Sequence, residues 1–339
     1  MTLCDPCLTD VLGREPTITE VDGSYLTGRR VLVTGAGGSI GSELCRQITR
    51  FDPDQLIMLD RDESALHALQ LELTGRALLD DASTVLADIR DEIRIFQIMK
   101  SYRPDVVIHA AALKHQPLLQ RYPGEAVKTN IWGTENVLNA ADTVGTGTII
   151  NISSDKAAHP QGNMLGLAKR ITEQLTAWHA QNRRFLSVRF GNVIGSRGSV
   201  IDTFLRQARR GEPVTVTHPE ATRYMMSVRE AIALALHAGA IGYPGEVLVL
   251  DMGQPVRIAD VAAGIVRVLG STSPIVYTGL RPGERLHETR LAADEPDCRP
   301  LHPLITQLDP GVLDPRRVRE IDPNTDPEKI MEQVEEIIR

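Results

Sequence analysis

The 339-residue chain has no uninterrupted apolar run approaching the roughly 18 to 20 residues that cross a bilayer. Its first residues include Asp5, Asp10 and Glu15 instead of the basic-then-apolar order of a signal peptide. Both absences point to a cytoplasmic protein without a membrane span. A basic excess is also missing: 37 Lys and Arg stand against 44 Asp and Glu, a net charge of −7. Nucleic acid is therefore not the expected partner, because neutralising phosphates needs clustered cations. A local basic pocket for a small anionic substrate is still compatible with this charge. Cysteine is scarce, at four residues. Cys45 and Cys298 are isolated, and the one C-x-x-C pair, Cys4 and Cys7, has no second pair or histidine cluster near it, so no disulfide framework or zinc site is expected. His109, His115, His159 and His218 have no metal-ligand partner at helical spacing, and no metal is expected. No internal repeat or low-complexity tract interrupts the chain.

From Arg30 onward the sequence alternates short β-branched runs with amphipathic stretches. Val31-Leu-Val, Leu56-Ile-Met-Leu, Thr84-Val-Leu, Val106-Val-Ile and Thr148-Ile-Ile are separated by helical segments. This rhythm predicts an α/β fold, a Rossmann-type doubly wound parallel sheet with a smaller C-terminal substrate-binding lobe. Residues 1–28 read as a leader packing loosely on the domain or lying across it. Residues 29–190 form the dinucleotide-binding domain, with 225–252 returning to it through a helix near 228–240 and the strand Val247–Leu250. The lobe comprises 191–224 and 253–320, and 321–339 form a C-terminal helix.

Gly35, Gly38 and Gly41 follow the first strand directly and open a helix that begins with Ser39 and Ile40. Small residues here allow a tight turn and bring a pyrophosphate to the backbone N–H groups at the helix start. Asp60 ends the second strand, where it can bond an adenosine ribose. Arg61 beside it would suit a 2′-phosphate equally well, so the cofactor reads as NAD or NADP. Asp88 and Ile89 follow the third strand and would bracket the adenine. Ala110, Ala111 and Ala112 follow the fourth and leave room for the nicotinamide ribose.

The fifth strand ends in Ile152-Ser-Ser-Asp-Lys156, and the next helix carries Leu165 and Lys169 one turn apart on one face. Short-chain dehydrogenases have Ser or Thr and Tyr-x-x-x-Lys at these places. Further matching text comprises Thr34-Gly-Ala-Gly-Gly-Ser-Ile-Gly-Ser-Glu43, His109-Ala-Ala-Ala-Leu-Lys-His115, Lys128-Thr-Asn130, Val188-Arg-Phe-Gly-Asn-Val193, Thr215-Val-Thr-His-Pro219, Leu250-Asp-Met-Gly253 and Gly279-Leu-Arg-Pro-Gly-Glu284. With these, residues from about 12 to 290 resemble the CapD-like UDP-N-acetylglucosamine 4,6-dehydratases of bacterial polysaccharide biosynthesis. Leu12-Gly-Arg-Glu-Pro16 looks like the segment preceding the catalytic domain in larger, membrane-anchored members, so the chain looks like that catalytic unit without its membrane portion.

The resemblance implies oxidation at C4 of a UDP-sugar, proton removal at C5, loss of water from C6 and hydride return to C6, with a tightly bound, recycled cofactor. By resemblance Asp155 is the acid at O6 and Lys156 the base at C5. This requires a protonated Asp155 beside a Lys156 whose ammonium pKa is lowered by desolvation. Lys169 would bind the nicotinamide ribose, Ser154 would bond the reacting hydroxyl, and Lys114 and Asn130 would shape the nicotinamide end. Leu165 departs from the superfamily pattern, since it supplies no phenol and neighbouring Met164 cannot. The O4 base is then either Asp155 or Lys169 acting through a water. Asn192, Arg223 and Arg281 are expected at the substrate diphosphate, with Lys114, Arg197, Val200, Thr217 and Glu284 also contributing to the substrate site. A homodimer or higher homo-oligomer, built through helices flanking the catalytic one, is implied too. Two other functions fit the same residues: an epimerase working through the same 4-ketone, and a catalytically silent dinucleotide-binding regulator.

Overall fold

The computed structural model describes residues 21–338 except 77, 80 and 182. Cys4, Cys7 and the 12–16 segment lie outside the described residues. One eight-stranded sheet dominates, in the order β14-β11-β6-β5-β4-β1-β2-β3. Its members are β1 (Arg30–Thr34), β2 (Gln55–Asp60), β3 (Thr84–Leu86), β4 (Val106–His109), β5 (Thr148–Ser154), β6 (Arg184–Phe190), β11 (Val247–Leu250) and β14 (Ile305–Leu308). All neighbours pair in parallel except β11 and β14, which are antiparallel. The chain runs outward from β1 to β3 and then returns to start β4 on the other side of β1. Such a reversal opens a crevice at the carboxyl ends of the strands, where ligands bind in these sheets.

The strands are apolar throughout because both faces are covered. Successive side chains point to opposite faces, so Leu32 and Ile149 join the core under α3 (Glu92–Tyr102), α4 (Gly133–Val144) and α5 (Met164–Ala180). Val31, Val33 and Ile150 join the opposite core under α1 (Ser39–Ile48), α2 (Glu63–Thr74) and α7 (Val228–Ile241). Side chains cap most of these helices. Asp62 accepts from Ala65 N and Asp91 from Arg94 N, while Asn163 accepts from Gly166 N at the start of α5. Ser227 and Glu230 form a reciprocal capping box on α7.

The smaller lobe has its own core of Ile194, Phe204, Val214, Val216, Met225, Val261 and Ile265. It contains α6 (Val200–Arg209), α8 (Ile258–Val268) and three strand pairs. These are β7 (Asn192–Ile194) with β10 (Met225–Ser227), β9 (Thr222–Arg223) with β12 (Val256–Arg257), and β8 (Val214–Val216) with β13 (Ile275–Tyr277).

Two boundaries differ from the sequence expectation. Residues 305–308 belong to the main sheet, where β14 pairs with β11, and not to the lobe. The last helix is α9 (Pro327–Ile338), preceded by a short helix at Pro315–Arg319, and α9 packs on α5 and the Pro123–Ala126 turn. Its Ile330, Val334 and Ile337 share the core of Met164, Leu165 and Ile171. At the described end of the leader, Leu26 is wholly buried and the Tyr25 hydroxyl donates to Leu236 O at 3.1 Å. Among the described residues no helix is long and apolar enough to cross a membrane.

Candidate active site

Gly35 leaves β1 at φ +66°, and a Cβ there would stand 2.7 Å from Ala111 Cα. A Cβ on Gly41 would meet Gly35 O, so the first turn of α1 packs directly on the strand end. Gly37, which the sequence reading passed over, is equally constrained: its added Cβ would strike Ala65 Cβ and lie 3.2 Å from Asp60 Oδ2. The Gly37 N–H donates to that oxygen at 2.8 Å, and Asp62 N donates to Oδ1 at 3.0 Å. Only glycine admits so close a backbone approach, which makes the turn a cradle of N–H groups suited to a pyrophosphate. Asp88, Ile89, Ala110, Ala111, Ala112 and Thr129 line the same cleft beside Asp60 and Arg61. Arg61 is drawn toward Asp88 (3.7 Å), which Arg90 holds more closely at 2.8 Å. Burial pushes the Asp88 carboxyl up, but Arg90 and then Arg61 outweigh it and keep the group below its ordinary value.

Arg197, expected at the substrate, reaches the glycine-rich turn, and Lys114, expected at both the nicotinamide end and the substrate, ties to Arg197. Arg197 N donates to Ser39 Oγ at 2.9 Å, and its guanidinium donates to Gly37 O. Lys114 Nζ donates to Arg197 O at 2.7 Å. The Gly195–Ser199 loop of the lobe is thus tied across the glycine-rich turn, a result of chain path that no local spacing foretells.

Beneath the cleft runs a buried polar chain. Thr134 Oγ1 donates to Asn130 O (2.6 Å) and so accepts from His109 Nε2 (2.9 Å), which leaves His109 Nδ1 to accept from Thr34 Oγ1 (2.7 Å). Burial, and then Lys169, drive the imidazole down to about 3, consistent with this neutral tautomer. Asn130, in the π-helical turn Val127–Trp132, exchanges two hydrogen bonds with the Leu113 backbone. His159 Nδ1 meets Thr289 Oγ1 and His218 Nδ1 accepts from Glu220 N. Among the described residues no cluster of His, Cys, Asp and Glu could hold a metal.

At the end of β5, Ser154 Oγ donates to Asp155 Oδ1 at 2.9 Å and Lys156 Nζ donates to the same oxygen at 3.1 Å. Asp155 is 2% exposed, and its Oδ2 has no hydrogen-bond partner. Room for that oxygen comes from Gly191, where a Cβ would lie only 2.7 Å away. Lys156 Nζ also faces Glu288 Oε1 at 3.7 Å, and Arg223 Nε lies 4.0 Å from that oxygen. Burial pulls the Lys156 ammonium down, yet Asp155 and Glu288 outweigh it and hold the group above its ordinary value. The expectation of a lowered Lys156 is reversed in the free protein, because two carboxylates face it and not one.

Lys169 Nζ donates to Ile152 O at 2.6 Å, and burial brings its ammonium down to about 8 against the opposing charge of Glu173. Leu165 lies in the core with Met164, 5% exposed. Arg223 Nη1 donates to Thr222 O and Leu286 O. Arg281 is bound to Glu284 across the Arg281–Glu284 turn, with backbone N to Oε2 at 3.0 Å. Asn192 lies on β7, Thr217 follows β8, and Val200 opens α6, all in the lobe. Ties run from the lobe to the Asp155–Lys156 group through Arg223 and Glu288. Glu288 and Gly191 were not anticipated. The one sequence hint was the position of Glu288 just beyond Arg281-Pro-Gly-Glu284.

Behind the site, Arg189 is wholly buried and bridges Glu173 (2.8 Å) and Glu295 (2.7 Å). Ser153 Oγ donates to Glu173 at 2.6 Å and Arg170 reaches Glu295 at 2.7 Å. This cluster joins β5, β6, α5 and the 290–295 segment.

Residues 31–309 match the family described as "Polysaccharide biosynthesis protein". The "Probable polysaccharide biosynthesis protein EpsC" of Bacillus subtilis (strain 168) is 46% identical over 304 residues, 87% of this chain and 51% of that protein. The "Capsular polysaccharide biosynthesis protein CapD" of Staphylococcus aureus is 44% identical over 299 residues, 84% of this chain and 49% of that protein. The chain thus spans about half the length of these two relatives. Among solved structures, Pen from Bacillus thuringiensis aligns with a TM-score of 0.77 and 32% identity over 84% of this chain and 88% of that one.

Proposed function

This chain belongs to the polysaccharide biosynthesis protein family, and from that premise we propose that it is a nucleotide-sugar 4,6-dehydratase acting on UDP-N-acetylglucosamine or a related UDP-hexose. The observation that carries the reading is the buried Asp155–Lys156 pair, set at the end of β5 between the glycine-rich cleft and the lobe. A nicotinamide dinucleotide, when bound, supplies a hydride acceptor for C4 and returns the hydride to C6, so the reaction is redox-neutral overall. The Gly35–Gly41 turn holds the pyrophosphate, Asp60 the adenosine ribose and Lys169 the nicotinamide ribose. Engagement of Arg61 with Asp88 disfavours a 2′-phosphate, so NAD is the proposed form.

Within the sugar site Asp155 accepts the O4 proton, the task Leu165 cannot perform. Lys156 removes the C5 proton, and Asp155 then gives its proton to the departing C6 hydroxyl, which leaves as water. Finally Lys156 returns a proton to C5. Arg223 and Asn192 face the diphosphate. Asp155 therefore begins and ends as a carboxylate.

The test is incubation of the purified protein with UDP-N-acetylglucosamine in deuterated water, followed by mass spectrometry. The expected product is lighter by one water and carries deuterium at C5. A product that has lost no water but has an inverted centre, with one deuterium where the inversion is beside the ketone, would make the chain an epimerase, and absence of any conversion or exchange would leave a silent dinucleotide-binding protein.

A further inference from the structure

The proton inventory around Lys156 raises a difficulty that Glu288 resolves. Lys156 Nζ lies 3.1 Å from Asp155 Oδ1 and 3.7 Å from Glu288 Oε1, with both carboxylates almost fully buried. To abstract a carbon-bound proton, Lys156 must be a neutral amine. If its ammonium proton moves to Asp155, Asp155 can no longer accept a proton from O4, and with Leu165 in place no phenolate can do so instead. A second buried carboxylate removes the conflict.

We infer that Glu288 is a positioning residue that takes the ammonium proton of Lys156, leaving Lys156 neutral while Asp155 is still a carboxylate. This rests on the dehydratase reading above. The count closes: Glu288 holds one proton throughout, Asp155 carries the O4 proton to the leaving hydroxyl, and Lys156 borrows and returns the C5 proton.

The surroundings decide which carboxylate takes the proton. Asp155 Oδ1 accepts from the Ser154 hydroxyl at 2.9 Å, and a hydrogen bond to the charged form favours that form. Glu288 faces Lys156 and Arg223, and Arg223 in turn faces Glu284, while His159 engages Thr289 instead. The 4.0 Å gap to Arg223 Nε is longer than a hydrogen bond, because the guanidinium spends Nη1 on Thr222 O and Leu286 O. A substrate diphosphate on Arg223 would offset much of the positive charge that faces Glu288. Proton transfer from Lys156 to Glu288 is then favoured when the nucleotide is bound, so the C5 base is switched on by its own substrate.

The test compares wild type, Glu288→Gln and Glu288→Asp for deuterium exchange at C5 of UDP-N-acetylglucosamine between pH 6 and 9, with UDP affinity measured by calorimetry and folding by thermal melts. Wild type should show a broad plateau. Glu288→Gln should lose about 100-fold at neutral pH, the lower end of general acid–base effects, and should recover roughly tenfold per pH unit as Lys156 sheds its proton to solvent. Glu288→Asp should regain part of the rate with a flat profile. A second readout needs no turnover: acetic anhydride labelling of Lys156 at neutral pH, read by mass spectrometry, should rise on adding UDP in wild type but not in Glu288→Gln. Unchanged exchange in Glu288→Gln, a loss with the wild-type pH profile, or an equal UDP effect on labelling in both proteins would overturn the Glu288 role alone. A wild type that binds UDP but never exchanges C5 would overturn the dehydratase reading, and with it the proposal.

Discussion

Single atoms set the limits of this site. Gly191 is the sharpest case, because a Cβ there lies 2.7 Å from Asp155 Oδ2 and 3.1 Å from both Met252 Cε and Tyr224 O. Gly191→Ala is expected to lower turnover at least about tenfold while costing roughly 1–3 kcal/mol by overpacking, as urea unfolding and a steady-state assay would reveal. Lys169 has the opposite character. Its pKa in the folded chain is about 8, against an ordinary 10.5, because burial penalises the ammonium. Both folded and unfolded chains are protonated below pH 8, so the penalty is complete there and fades as pH rises toward 10.5. Lys169→Met should therefore stabilise the cofactor-free protein at pH 7 by roughly 2 kcal/mol, discounted for partial solvent contact. The gain should shrink above pH 8 in denaturant titrations, and activity should be lost. The places of Asp155, Lys156 and Lys169 in the fold were legible in the sequence because each stands in a short local pattern on one strand end or helix turn. Glu288 was not, since its meaning depends on a partner that folding brings from 132 positions away.

Elements follow the sequence where apolar periodicity is strong and depart from it where a partner decides. The alternation of Val31, Leu32 and Val33 between two buried faces made the parallel sheet readable. β14 was not readable: Ile-Thr-Gln-Leu is a short run after a Pro-containing stretch, and only the edge of β11 gives it a place. At this scale the Arg189 cluster matters most, joining β6, α5 and the 290–295 segment through two carboxylates. Arg189→Ala would leave buried Glu173 without its closest cation and Glu295 with Arg170 alone, and should cost about 3–5 kcal/mol in urea unfolding. Arg189→Met with Glu173→Leu should cost less than Arg189→Ala alone, since the pair is removed together.

Across the whole molecule, α5 is packed by the chain's own α9. Ile330, Val334 and Ile337 are core residues there, so replacing Ile330 and Val334 by Asp should unfold the chain at ordinary temperature by circular dichroism. The presence of a large parallel sheet was legible from chain rhythm. How the lobe touches it was not, because no local pattern encodes the path of the Gly195–Ser199 loop.

That loop bears on residence time. Arg197 and Lys114 tie the lobe across the glycine-rich turn, so unfastening the lobe would ease the exit of a dinucleotide seated there. Arg197→Ala is expected to shed bound nicotinamide dinucleotide at least about tenfold faster on gel filtration, followed by the absorbance of released nucleotide. Under the dehydratase proposal one oxidant molecule is reused indefinitely, which needs a slow exit more than a tight equilibrium, and a latch supplied by the lobe would make cofactor loss a question of how often the protein breathes.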